Sequence, residues 1–156
     1  MCLGLLSRVV PIASPPTPTV LAQADGPLSL SNQPLRFSLR SDRMAVVSLG
    51  AILGGLRSGE RLFLLLHDVS LDPRPSATWQ LFMDLPEGDI PDPTSLHFVG
   101  LIDAGGALCR YEITGTARAL EPFEMRGEST AITIVPIDRA GASPRGTIAR
   151  VEIVKE

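Results

Sequence analysis

The chain has 156 residues, 44% of them hydrophobic, and a formal net charge of −3. That is enough material for one domain with a core of its own, and it excludes the strongly basic surface that nucleic acid or an anionic membrane would require. Its bases are scattered arginines and a single lysine, Lys155, and five Phe, one Trp and one Tyr are too few for the stacking platforms that hold sugars or single-stranded nucleic acid.

In chain order, MCLGLLSRVV has no basic leader, and Arg8 cuts its short apolar run, so it does not read as a signal peptide. LFLLLHDV further on is far below a membrane span, and a soluble, cytoplasmic chain is the expectation. Two cysteines, Cys2 and Cys109, give no disulfide framework and read as free thiols of a reducing compartment. Residues 11–18, PIASPPTP, hold four prolines, which favour extended polyproline geometry and forbid a helix. Residues 1–18 are therefore expected to be a flexible tail or linker, and residues 19–156 a single domain.

From Thr19 onward strand signals dominate. TVLAQ and LSLS are short, and LRFSLR sets Leu35, Phe37 and Leu39 against Arg36, Ser38 and Arg40, the alternation of a half-buried strand. MAVVSLGAILGGLRSG (44–59) has helical apolar spacing but four glycines, and reads as a loop with one helical turn. RLFLLLHDVSL (61–71) is apolar almost throughout and suggests a central strand covered on both faces. TWQLFMDL places Trp79, Leu81, Met83 and Leu85 on one side, and Gln80, Phe82 and Asp84 on the other. LHFVGLID (96–103), CRYEITGT (109–116), STAITIVPI (129–137) and TIARVEIV (147–154) follow as strands. The last of these sets Ile148, Arg150, Glu152 and Val154 against Ala149, Val151 and Ile153. ARALEPFEM (117–125) hints at a helical turn that Pro122 ends. Strands at this spacing, divided by Gly/Pro turns, predict an all-β protein: an antiparallel β-sandwich or barrel, jelly-roll-like, with short helical turns. The expected core includes Leu64, Leu66, Trp79, Leu81, Met83, Phe98, Leu101, Tyr111, Ile113, Ile132, Ile134, Val151 and Ile153.

Chemistry is sparse by comparison. The two histidines, His67 and His97, stand in separate strands without HxH, HxxxH or CxxC spacing, so each reads as a strand-end side chain bonded locally. His67, His97, Met83 and Cys109 would form a soft copper site only if their strands converged. Asp84, Glu87, Asp89 and Asp92 crowd one connection, but Pro91 and Pro93 break any EF-hand spacing. LPEGDIPDP reads as a solvated turn, with Pro86 ending the strand and Gly88 bending the chain. There is no GxSxG elbow and no phosphate loop, and no set of residues meets the geometric needs of a catalytic centre.

The order and wording of the strands resemble the C-terminal domain of the tyrosinase and polyphenol oxidase family. TVLAQADGPLSLSNQPLRFSLR resembles the entry into that domain, and RLFLLLHDVSLDPRPSATWQLFMDLPEG its central strand pair. DPTSLHFVGLIDAGG, YEITGTARAL, STAITIVPI and GTIARVEIV are similar to its later strands in the same order. The resemblance covers Thr19 to Val154, and it implies a β-domain that packs over the mouth of a dicopper domain and restrains its activity. The histidine-rich dicopper domain itself is not represented, so no copper ligand carries over to any position here, and copper is expected only in a partner. The resemblance points to residues 86–93 with Glu87, Asp89 and Asp92, to Leu96, His97 and Phe98, and to Phe123 as candidates for partner contact or for a plug. Met44, Val46, Val47, Leu49 and Ile52 could form a docking patch, or close the end of the sandwich. The alternative is a free-standing module that binds calcium, lipid or protein, or itself as a homodimer; an enzyme in its own right is the least supported reading.

Overall fold

Period-two patterning in a chain with almost no amphipathic helical pattern should produce paired strands, and it does. A computed structural model describes residues 14, 17–72, 78–125, 128–137 and 143–156. Eight strands run β1 (Thr19–Leu30), β2 (Leu35–Ser38), β3 (Leu62–Leu71), β4 (Trp79–Met83), β5 (Phe98–Ile102), β6 (Gly106–Glu112), β7 (Ala131–Pro136) and β8 (Gly146–Lys155). Two short helices, α1 (Leu49–Gly54) and α2 (Thr114–Leu120), are added, and α2 runs into a 3-10 turn over Glu121–Phe123. The strands form two four-stranded antiparallel sheets in the orders β1-β8-β3-β6 and β2-β7-β4-β5. The sheets remain open, so this is a sandwich and not a barrel. The flexible tail expected over residues 1–18 and the Cys2 thiol lie almost wholly outside the described residues.

The core lies between the sheets. Leu64, Leu66, Val151 and Ile153 meet Trp79, Leu81, Ile132 and Ile134, all buried. Trp79 also places its indole N–H 3.0 Å from the Ser31 carbonyl oxygen, which accepts the bond and satisfies the ring's only donor. At the open flank, β5 and β6 approach so closely that Gly100 has no room for a side chain: a Cβ there would sit 2.9 Å from the Tyr111 ring. The Tyr111 hydroxyl donates to the Leu101 carbonyl oxygen at 2.8 Å and clasps the two sheets together. The helices close one end. Leu49 and Ile52 of α1, and Ala117 and Leu120 of α2, join the core cluster; Leu62 N–H donates to the Thr114 hydroxyl at 2.9 Å.

Several expectations need correction. TVLAQ and LSLS are one strand, β1, whose register against β8 shifts between Asp25 and Leu28. The strand expected over 109–116 ends at Glu112, because the chain turns into α2 at Thr114. Leu101, expected in the core, is 43% exposed, since in β5 it alternates with the inward Gly100 and Ile102. Phe98 and Tyr111 are half-buried. Phe82, expected on a wet face, is fully buried, covered edge-on by Phe98 with ring centroids 5.6 Å apart. In β8 the alternation changes phase: Ile148 is buried along with Val151 and Ile153, while Ala149 and Arg150 are exposed. Its neighbour β3 changes phase at the same level, from Leu62, Leu64 and Leu66 to Val69, with Asp68 at φ +49° absorbing the extra residue.

Candidate functional site

A groove of about 870 Å³ lies on the outer face of the second sheet. Its walls are residues 84–97, between β4 and β5, and residues 121–125 and 128–129, between α2 and β7. Asp84 fastens them to the sheet. Its backbone N–H donates to the Ala131 carbonyl oxygen at 2.8 Å, and its carboxylate accepts from Ala131 N–H at 2.7 Å. The residue sits at φ +49°, a left-handed conformation that aspartate tolerates better than most side chains. Burial pushes the Asp84 carboxyl above the usual range; the Ala131 N–H and the Arg36 guanidinium pull it back, while Glu124 and Glu128 push it further up.

Beyond Asp84 the acids separate into different roles. Pro86 to Asp89 form a turn closed by Asp89 N–H donating to the Pro86 carbonyl oxygen at 3.1 Å, with Gly88 at φ +84° in its third position, as a type II turn requires. Glu87 and Asp89 are exposed there. Asp92 accepts from Thr94 N–H at 2.8 Å and from the Thr94 hydroxyl at 2.7 Å; those bonds hold its carboxyl below the usual range. The acidic connection is thus a capped turn, with Asp84 turned inward as its anchor.

The opposite wall is held by Glu124. Its carboxylate accepts from the N–H groups of Leu49 and Gly50 at 2.6 and 3.1 Å, while the Ser48 hydroxyl caps Ala51 N–H at 3.1 Å. These contacts place the 3-10 turn so that Phe123, 73% exposed, stands on the groove rim with Met125, 66%, and, across the gap, Leu96, 58%. At the back, Arg36 donates to the Leu85 carbonyl oxygen and, at 3.3 Å, to the Thr133 hydroxyl.

The four residues considered for a soft metal do not meet. His67 and Cys109 occupy successive positions across the β3–β6 ladder, where alternation sends them to opposite faces. His67 Nε2 lies 2.7 Å from the buried Glu152 carboxylate, which also accepts from Arg150 at 2.9 Å. His97, in the groove wall, bonds through Nδ1 to the Met83 carbonyl oxygen at 2.9 Å. Met83 is buried in the other sheet, and Cys109, its thiol pushed up by burial and by Asp103, is half-buried. Among the described residues no three His, Cys, Asp or Glu side chains converge to hold a metal, and no helix is long and apolar enough to cross a membrane.

The groove therefore gathers Asp84, Pro86, Glu87, Leu96, His97 and Phe123 from the sequence candidates and leaves the rest elsewhere. Phe98 packs on Phe82. Val47, Leu49 and Ile52 are buried, so of the docking patch expected over residues 44–52 only Met44 and Val46 are at the surface. Sequence reasoning missed Arg36, Met125, Glu124 and Glu128. The signal in reach was the cluster of acids and large apolar residues in LEPFEMRGES, between a helix and a strand.

No protein-family model and no curated protein matches the chain. Solved structures do. A recombinantly expressed latent aurone synthase (polyphenol oxidase) matches over 85% of this chain with TM-score 0.51 and 19% identity. The fold is shared with a latent polyphenol oxidase. The same latent aurone synthase from its natural source matches with TM-score 0.50 and 20% identity, again over 85% of this chain. A latent apple tyrosinase is similar at TM-score 0.49 and 16% identity, over 82% of this chain and 27% of its own. This chain spans only 26% of the length of the aurone synthase chains. The likeness is thus to one part of them, consistent with the C-terminal β-domain to which the sequence motifs point.

Proposed function

We propose that this chain is a non-catalytic accessory domain that packs against a dicopper oxidase domain and modulates access to it. The single observation that carries this reading is the fold likeness, over 85% of the chain, to a quarter-length part of a latent polyphenol oxidase. The groove supports it, because Leu96, Phe123 and Met125 leave apolar surface in water that a partner would cover. In this reading copper belongs to the partner alone, and the chain contributes shape and contact. The test is to add the chain to a polyphenol oxidase dicopper domain lacking its own β-domain and to measure phenol oxidation. A saturable fall in rate, with co-sedimentation of the two, is expected; unchanged rates with no co-sedimentation would remove the proposal.

A second reading, a self-associating module, has one feature in its favour. β6 is an edge strand of seven residues, largely exposed and without proline or lysine, and such an edge offers unpaired N–H and C=O groups to another copy. A concentration-dependent dimer in sedimentation, abolished by Leu108→Pro, would favour it; a monomer throughout would dismiss it.

A further inference from the structure

We infer that the groove between residues 84–97 on one side and residues 121–125 and 128–129 on the other receives, from the dicopper domain, a segment that presents an arginine or lysine flanked by apolar side chains. The inference rests on the docking reading above and specifies its chemistry. Among the described residues, four carboxylates, Asp84, Glu87, Glu124 and Glu128, line the groove against one guanidinium, Arg36. Arg36 is bonded to Leu85 and Thr133 and offsets part of this charge at Asp84, while Glu124 is held by Leu49 and Gly50 and Glu128 accepts from Met125 N–H at 3.2 Å, so three more acids than guanidinium groups face the groove among the described residues. Glu124 and Glu128 lie near enough to add to the burial that raises the Asp84 carboxyl, against the Ala131 N–H and Arg36, which lower it. An anionic or phosphorylated ligand would be repelled, and a metal ion finds no converging ligand set among the described residues.

The rim adds the second half of the specificity. Leu96, Phe123 and Met125 project from opposite walls above the acids. A long basic side chain suits this layering, because its carbon stem packs on apolar and aromatic surface while its head remains polar. An arginine could lie across the Phe123 ring and bond the Glu87 or Glu128 carboxylate in the two-pronged manner that guanidinium favours. Flanking apolar side chains would cover Leu96 and Met125. A purely apolar segment would instead strip water from carboxylates without replacing it.

The test uses the whole chain and two capped pentapeptides, Ala-Leu-Arg-Leu-Ala and Ala-Leu-Glu-Leu-Ala, followed by amide and methyl NMR. The basic peptide is expected to shift Glu87, Leu96, Met125 and Ala131 saturably, and the acidic one to leave them in place. Binding should weaken roughly tenfold at about 0.5 M salt, and by at least as much in the double variant E87K/E128K. Both positions are exposed, and an unchanged spectrum away from the groove verifies that the variant folds. Equal shifts from both peptides, no shifts at millimolar peptide, or indifference to the charge reversal would each overturn the inference. Inhibition of the dicopper domain without basic-peptide binding removes the groove chemistry and leaves the docking reading. Basic-peptide binding without inhibition supports the groove chemistry and removes the dicopper domain as its source.

Discussion

The carboxylate of Glu124 accepts a 2.6 Å hydrogen bond from the backbone N–H of Leu49. This contact, reinforced at Gly50, lets one helix terminus position the groove wall, since the first N–H groups of α1 have no partner within the helix. Glu124→Ala is expected to cost about 1–2 kcal/mol in urea unfolding. Glu124→Gln should cost less, because its amide oxygen still accepts one bond. If both variants unfold at the wild-type midpoint, the contact contributes nothing to stability.

Asp84 gives a prediction with a definite sign. Its folded pKa lies above the unfolded value, chiefly through burial. The folded state therefore holds the proton more tightly, and this group's contribution to stability is full below the unfolded pKa and lost as pH rises through the folded one. Asp84→Asn keeps the acceptor for Ala131 N–H and tolerates φ +49°. It should be neutral or mildly stabilising at pH 7, and should flatten the fall in stability above the ordinary aspartate range. Asp84→Ala loses the bond and strains the backbone, costing about 1–3 kcal/mol. Denaturant titrations across mildly acidic pH separate the two, and an Asn variant as damaged as the Ala variant would contradict the account.

Tyr111 should titrate late. Burial, with Cys109 and Asp103 nearby, pushes its phenol up to about 12. A group raised in this way stabilises the fold below its unfolded pKa and stops doing so as pH climbs through the folded one. Stability should accordingly drop between about pH 10 and pH 12, with Tyr111→Phe removing that part of the slope. Ultraviolet difference spectra follow the ionisation directly; a phenolate forming near pH 10 in folded protein would mean that the ring is not buried between the sheets.

Gly100 and Tyr111 should be coupled. Gly100→Ala drives a methyl group into a ring tethered by its own hydroxyl, at a cost of about 1–3 kcal/mol. In a Tyr111→Leu background the same substitution should cost markedly less. A double-mutant cycle with no interaction energy would show that the two residues do not share the space.

Trp79→Ala should cost about 3–5 kcal/mol, because the ring is buried and its N–H is bonded to Ser31. Calorimetry that finds a near-native melting temperature would place the indole at the surface.

Much of this fold was legible in advance, and for a physical reason. Strand existence follows from alternation, so Leu81, Ile132 and Ile134 declared themselves. What covers a sheet's outer face is decided by distant chain. Phe82 is buried because Phe98 returns over it, and nothing near residue 82 announces that. The helix at Thr114 was masked by the β-branched residues Ile113 and Thr114 next to a true strand. The groove was half visible: the crowding of acids after Met83 stood out, but its meaning depended on Glu124 and Glu128, some forty positions on. No local pattern could pair those two stretches, because the Asp84–Ala131 bonds that join them are tertiary.

The simultaneous phase change in β3 and β8 bears on how the domain can vary. The two strands lie side by side, and each spends its extra residue at the same level, next to Asp68. A deletion in one of them would turn its remaining half inside out against an unaltered neighbour. Length changes in descendants of this chain should therefore arise in matched pairs across that ladder, or be confined to the loops, and a homologue lacking one residue there should lack its counterpart as well.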